Sequence, residues 1–116
     1  MHVQIRKGLL PLSVSAALAL GLISTASAVD VDAARTLARQ SNCFKCHAID
    51  KKKEGPAWKD VAAKYKGKAG AEDRLIKHIT TGEKAKFEDG HEEDHAIVKT
   101  KDQAQIKNLV DWILSL

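Results

Sequence analysis

The sequence predicts an all-α domain of about four short helices, because apolar residues recur at helical spacing in four separate stretches and no stretch reads as a strand. A further observation is the pentapeptide Cys43-Phe44-Lys45-Cys46-His47, which holds the only two cysteines of the 116-residue chain. It supplies a covalent anchor around which short helices can pack.

Residues 1–28 read as a secretory signal peptide rather than as part of the fold. Arg6 and Lys7 give a positive start, residues 8–23 form an apolar run, and Ala26-Ser27-Ala28 is a small-residue cleavage pattern. The run is short for an uncleaved membrane anchor. Cleavage after Ala28 leaves residues 29–116 as one small domain, with no membrane span and little apolar volume for a core of its own. A buried prosthetic group would fill the space that its few aromatic side chains leave.

From residue 30 to 42, Val31, Ala34, Leu37 and Ala38 trace one helical face, with Asp30 or Asp32 able to cap the start. This first helix runs into the cysteines. Two cysteines separated by two residues and followed at once by histidine form the pattern of c-type haem attachment: both thiols add to the porphyrin vinyl groups and the histidine ligates iron. A thioredoxin-like redox pair would need a preceding strand, and a zinc ribbon a second pair of ligands. Neither is present, so one haem c per chain is expected on Cys43, Cys46 and His47.

A lysine-rich loop over 48–54 leads to Gly55-Pro56, where proline suits a turn or the first residue of a helix. Trp58, Val61, Ala62 and Tyr65 then mark a short second helix, closed by Gly67 and Gly70. Residues 71–81 read as a third helix, with Glu72 and Asp73 in its first turn and Leu75, Ile76 and Ile79 on one face. His78 lies on this helix as a partly exposed neighbour of that face. Residues 83–99 hold the densest cluster of acidic side chains, show no period and read as a loop. Thr100-Lys101-Asp102-Gln103 matches a capping box, and Ile106, Leu109, Val110, Ile113 and Leu114 follow at the spacing of an amphipathic helix. Trp112, near its end, reads as core or as a wall of the haem pocket.

The net charge of +4 falls once the leader is removed: the 19 basic residues less Arg6 and Lys7 leave 17 against 15 acidic ones. Two haem propionates would bring the total near zero, a balance that does not suggest nucleic acid. Lys45, Lys51, Lys52 and Lys53 flank the motif, while Glu88, Asp89, Glu92, Glu93 and Asp94 cluster later. Such runs form solvated faces, and lysines near a haem edge can also steer an acidic partner.

Over nearly all of residues 29–116 the chain resembles a small bacterial class I c-type cytochrome with one haem. The likeness rests on the N-terminal helix, the C-x-x-C-H motif, Gly-Pro-Ala-Trp-Lys-Asp-Val-Ala at 55–62, Lys-Tyr-Lys-Gly at 64–67 and Leu-Val-Asp-Trp-Ile-Leu at 109–114. It implies the class I cytochrome c fold, with the first and last helices crossing beside the haem. It also implies that the Pro56 carbonyl accepts a hydrogen bond from Nδ1–H of His47.

The family's usual sixth ligand, a methionine in the loop before the last helix, is missing, since Met1 is the only methionine. Counting back from Trp112 by the family's spacing places His95 there, with His91, Lys99, Lys86 or an open site as alternatives. Imidazole in place of a thioether favours ferric iron and lowers the potential. The segment His91-Glu92-Glu93-Asp94-His95 also spells the H-E-x-x-H zinc-protease pattern, but that chemistry needs a helix, a third ligand and a cleft. Binding of a stray Zn²⁺ or Cu²⁺ by His91 and the loop carboxylates is a lesser alternative.

The function expected is a periplasmic one-electron carrier and not an enzyme: monomeric, exchanging electrons with periplasmic redox proteins through transient, salt-sensitive encounters. The alternatives are a haem-based ligand sensor or small peroxidase with an open or labile distal site, and the electron-input subunit of a larger dehydrogenase.

Overall fold

The computed structural model describes residues 28–116 together with the isolated residues 8, 16, 17, 19 and 21, so most of the expected signal peptide lies outside the described residues. Among the described residues no helix is long and apolar enough to cross a membrane. The element order is α1 (Val31–Gln40), a 3-10 turn (Cys43–Lys45), α2 (Trp58–Tyr65), α3 (Ala71–Thr80), β1 (Lys84–Lys86), β2 (Glu92–Asp94) and α4 (Gln103–Ser115).

Helix α1 starts where Asp30 caps it, the carboxylate accepting from the Ala33 N–H at 2.9 Å. That cap is itself tied to α4. Asn108 Oδ1 accepts the Asp30 N–H and its Nδ2 donates to the Asp30 carbonyl, both at 2.8 Å. The apolar stripe of α1 buries Ala34, Leu37 and Ala38. The chain leaves the helix through Ser41, a buried hydroxyl whose Oγ accepts from the Lys99 N–H at 3.0 Å.

Helix α4 is the hub, packing against α1, α2 and α3. Its period brings Ile106, Leu109, Val110, Trp112 and Ile113 inside, each worth about 1.5–3 kcal/mol on full burial. With Trp58 of α2 and Val98, Ile106, Leu109, Trp112 and Ile113 form the core beside α1. Trp58 is the centre of an aromatic group: its ring lies 5.1 Å from Phe44 and 5.5 Å, edge-on, from Trp112. Such pairs add about 0.5–1.5 kcal/mol each beyond their burial.

Three expectations are corrected. The segment over 83–99 is not all loop, because β1 and β2 pair antiparallel, with Lys84 opposite Asp94, Ala85 opposite Glu93 and Lys86 opposite Glu92. The hairpin closes through Phe87 and His91, and Gly90 supplies the positive φ of 91° that the turn requires. The proposed capping box is not formed either. Asp102 caps α4, accepting from Ala104 and Gln105 at 2.9 and 3.2 Å, while Thr100 Oγ1 accepts the Asp102 N–H. A carboxylate at Asp102 satisfies two orphan N–H groups of the first turn, which Thr100 cannot reach. Helix α3 ends one residue earlier than expected, with Thr81 as its cap.

Candidate functional site

Asn42 turns the chain through the left-handed region (φ 59°) at the end of α1 and opens the 3-10 turn. The Cys43 carbonyl then accepts the N–H of Cys46 at 3.2 Å and of His47 at 3.0 Å, winding the motif into a single turn. The two cysteines are not joined to each other by a disulfide. Burial pushes the Cys43 thiol up from its ordinary range. Burial, then the Glu54 carboxylate 3.6 Å from Sγ, does the same to Cys46.

The segment 55–59 runs beside the turn and orients His47. Gly55 N–H donates to the Cys46 carbonyl at 2.7 Å, Trp58 N–H to Ala48 at 2.9 Å and Lys59 N–H to Ile49 at 3.1 Å. His47 Nδ1 lies 2.8 Å from the Pro56 carbonyl oxygen. A carbonyl can only accept, so the proton is on Nδ1 and Nε2 presents its lone pair. The imidazole is stacked on Trp58, ring centres 5.6 Å apart. Gly55 lies so close that a Cβ on it would fall 2.7 Å from His47 Cε1.

His95 follows β2, and its backbone is fixed by its neighbours. Its N–H donates to the Glu83 carbonyl at 3.0 Å, and three residues on Val98 N–H donates to Ile79 at 2.9 Å. Its Nδ1 lies 2.8 Å from the Ala96 carbonyl, which fixes the same tautomer as in His47, with Nε2 free. The two ring centres are 6.2 Å apart. Two imidazoles bound through Nε2 to one metal at about 2 Å, with each ring centre about 1 Å further out, require a separation of about 6 Å. Burial is the largest cause depressing the pKa of both rings, and for both the nearby His78 also lowers it. That favours neutral imidazole, the form that ligates a metal.

His91 sits at the far end of the hairpin. Its ring stacks on Phe87 at 4.3 Å, Nδ1 is bonded to Asp89 and Nε2 lies 3.3 Å from Glu93. The Asp89 carboxylate is the main cause raising its pKa. The H-E-x-x-H segment is largely the strand β2, not a helix, so its two histidines stand about 13 Å apart at about 3.3 Å per residue. Among the described residues no group of three or more His, Cys, Asp or Glu side chains is placed to hold a metal ion.

Trp112 is buried, but it touches Trp58 and so stands one ring behind His47. Sequence reasoning missed Trp58, which makes the contact; its place two residues after Pro56 was the available signal. It read His78 as a partly exposed neighbour of the α3 face and missed its contact with His95, the ring centres 4.1 Å apart. Of the lysines beside the motif, Lys52 pairs with Glu88 and Lys53 Nζ donates to the Phe44 carbonyl at 2.6 Å. Among the described residues Lys45 and Lys51 form no ion pair.

Comparison with known proteins gives the family of the chain. The family model described as cytochrome c matches residues 31–116. Cytochrome c-551 of Allochromatium vinosum is 42% identical over 80 residues, 69% of this chain and 82% of that relative. Among solved structures, the class 1 cytochrome MtoD from Sideroxydans lithotrophicus ES-1 is 65% identical, with a TM-score of 0.72 over 76% of this chain and 97% of that one. Wild-type cytochrome c552 of Nitrosomonas europaea is 34% identical, with a TM-score of 0.53 over 70% of this chain and 96% of that one.

Proposed function

Since the chain belongs to the cytochrome c family and is a small electron-carrying haem protein, we propose that it holds its iron between the imidazoles of His47 and His95 and shuttles single electrons in the periplasm. One covalently bound haem fits Cys43, Cys46 and His47 and supplies the one-electron couple. The distal assignment is carried by one observation: two imidazole rings 6.2 Å apart, each with Nδ1 on a backbone carbonyl. His91, with both nitrogens facing carboxylates, lacks that arrangement.

With His95 as the second ligand, the chain's residues would orient and insulate the iron rather than offer it to a substrate. The reading as a ligand sensor or small peroxidase requires His95 to leave, against the hydrogen bonds that hold it and Val98 to Glu83 and Ile79. The leader pattern at residues 1–28 supports export, with cleavage after Ala28. The partners are periplasmic redox proteins met transiently, with the chain a monomer. Of the four lysines beside the motif, Lys45 and Lys51 form no ion pair among the described residues and can steer an acidic partner, whereas Lys52 and Lys53 are engaged within the chain.

The test is His95→Met with visible spectra and redox titration of the haem-loaded protein. A thioether-to-iron charge-transfer band should appear at the red end of the spectrum, with a raised potential. An unaltered spectrum would assign the sixth position elsewhere.

A further inference from the structure

The electron-carrier reading leaves one imidazole beside the iron site unused, that of His78. It lies in the last turn of α3 with its side chain 29% exposed, its ring centre 4.1 Å from that of His95 and the two planes inclined at 44°. Its Nδ1 is 2.7 Å from Glu83 Oε1. The same oxygen takes Arg74 Nη1 at 2.5 Å, so the carboxylate is held from two sides. Glu83 also gives its backbone carbonyl to the His95 N–H, as the last rung beyond the β1–β2 ladder.

We propose that His78, clamped by Glu83, is a positioning residue that fixes the plane of the His95 imidazole. Glu83 grips the distal histidine twice. Its carbonyl sets the backbone from which the His95 side chain projects, and its carboxylate sets the ring against which that side chain rests. The other hold on the His95 ring is the bond to the carbonyl of its own neighbour Ala96, which moves with the same segment. His78 belongs to α3, a different element, so it references the distal ring to the helical core. The plane of an axial imidazole decides which iron d orbital it perturbs, and hence the anisotropy of the ferric low-spin signal.

The inference rests on the two-imidazole ligation proposed above. The experiment is low-temperature electron paramagnetic resonance of the ferric, haem-loaded protein, with thermal melts to check that each variant folds. His78→Ala should displace and broaden the largest g feature while the visible spectrum stays that of two imidazoles. Glu83→Ala should do the same, because His78 is then unclamped. His78→Phe, which restores a flat ring of similar size, should return the line towards wild type. A His78→Ala or Glu83→Ala signal superimposable on wild type overturns the proposal and leaves the ligation standing. A wild-type protein lacking the two-imidazole signature overturns both.

Discussion

Replacement of Gly55 by alanine tests how tightly the chain holds its proximal ligand. A methyl group there would stand 2.7 Å from His47 Cε1 and 3.0 Å from both His47 Nδ1 and the Cys46 carbonyl oxygen. Ordinary contact begins at 3.4 Å, so the ring must retreat by 0.7 Å. A ring bonded to Pro56 at 2.8 Å and stacked on Trp58 cannot move that far without lengthening one of those contacts. Overpacking costs about 1–3 kcal/mol, and loss of the Pro56 hydrogen bond about 1 kcal/mol more. A destabilisation of about 2–4 kcal/mol lowers Tm by roughly 10–25 °C in a domain of this size. Gly67→Ala is the control, since no heavy atom lies within 4 Å but φ is +76°; it should cost about 1–2 kcal/mol of backbone strain alone. Thermal melts and visible spectra of the haem-loaded variants separate the two: Gly55→Ala should change both, Gly67→Ala only the melt. A Gly55→Ala protein with the wild-type spectrum and melt would refute the reasoning.

The capping assignment of α4 predicts that Asp102→Ala lowers stability by about 1 kcal/mol in urea titrations, whereas Thr100→Ala stays within about 0.5 kcal/mol; the reverse order would restore the capping box. Asn108→Ala removes both bonds to the Asp30 backbone and should cost about 1–2 kcal/mol in the same titration, with the α1 amide protons exchanging faster. The Glu83 carboxyl is held below the usual carboxylate range by the hydrogen bond from His78 and then by Arg74. Because its folded pKa is depressed, the stability it adds is present above the ordinary carboxylate range and lost as pH falls through the lowered value. The Tm difference between wild type and Glu83→Gln should therefore be widest near neutrality and close on acidification; a gap that widens in acid would contradict that sign.

Helices α1, α2, α3 and α4 were legible because each buries one face, and a buried face leaves its period in the sequence. The hairpin was not, for the same reason inverted. Lys84 to Lys86 and Glu92 to Asp94 bury nothing beyond part of Ala85, so no apolar alternation marks them. Backbone bonds and pairs such as Lys84 with Asp94 at 2.7 Å hold them instead. That hairpin delivers His95 to within reach of His47, so spacing from Trp112 could nominate the residue but could not show what carries it there. The proximal half was written in adjacent residues, from the cysteines through His47 to Pro56. His78 was legible as a partly exposed neighbour of the α3 face, but its contact with His95 was not, because its partner Glu83 lies beyond the end of α3, past Gly82, where a helical period carries no information.

Iron held between His47 and His95 is the proposal on which the carrier function depends. Near-infrared magnetic circular dichroism of the ferric, haem-loaded protein reads the pair of axial ligands from the energy of the ligand-to-iron charge-transfer band. A band at the energy set by two neutral imidazoles is the predicted result. A band at the energy of an amine or thioether ligand, or the features of high-spin iron, would contradict it.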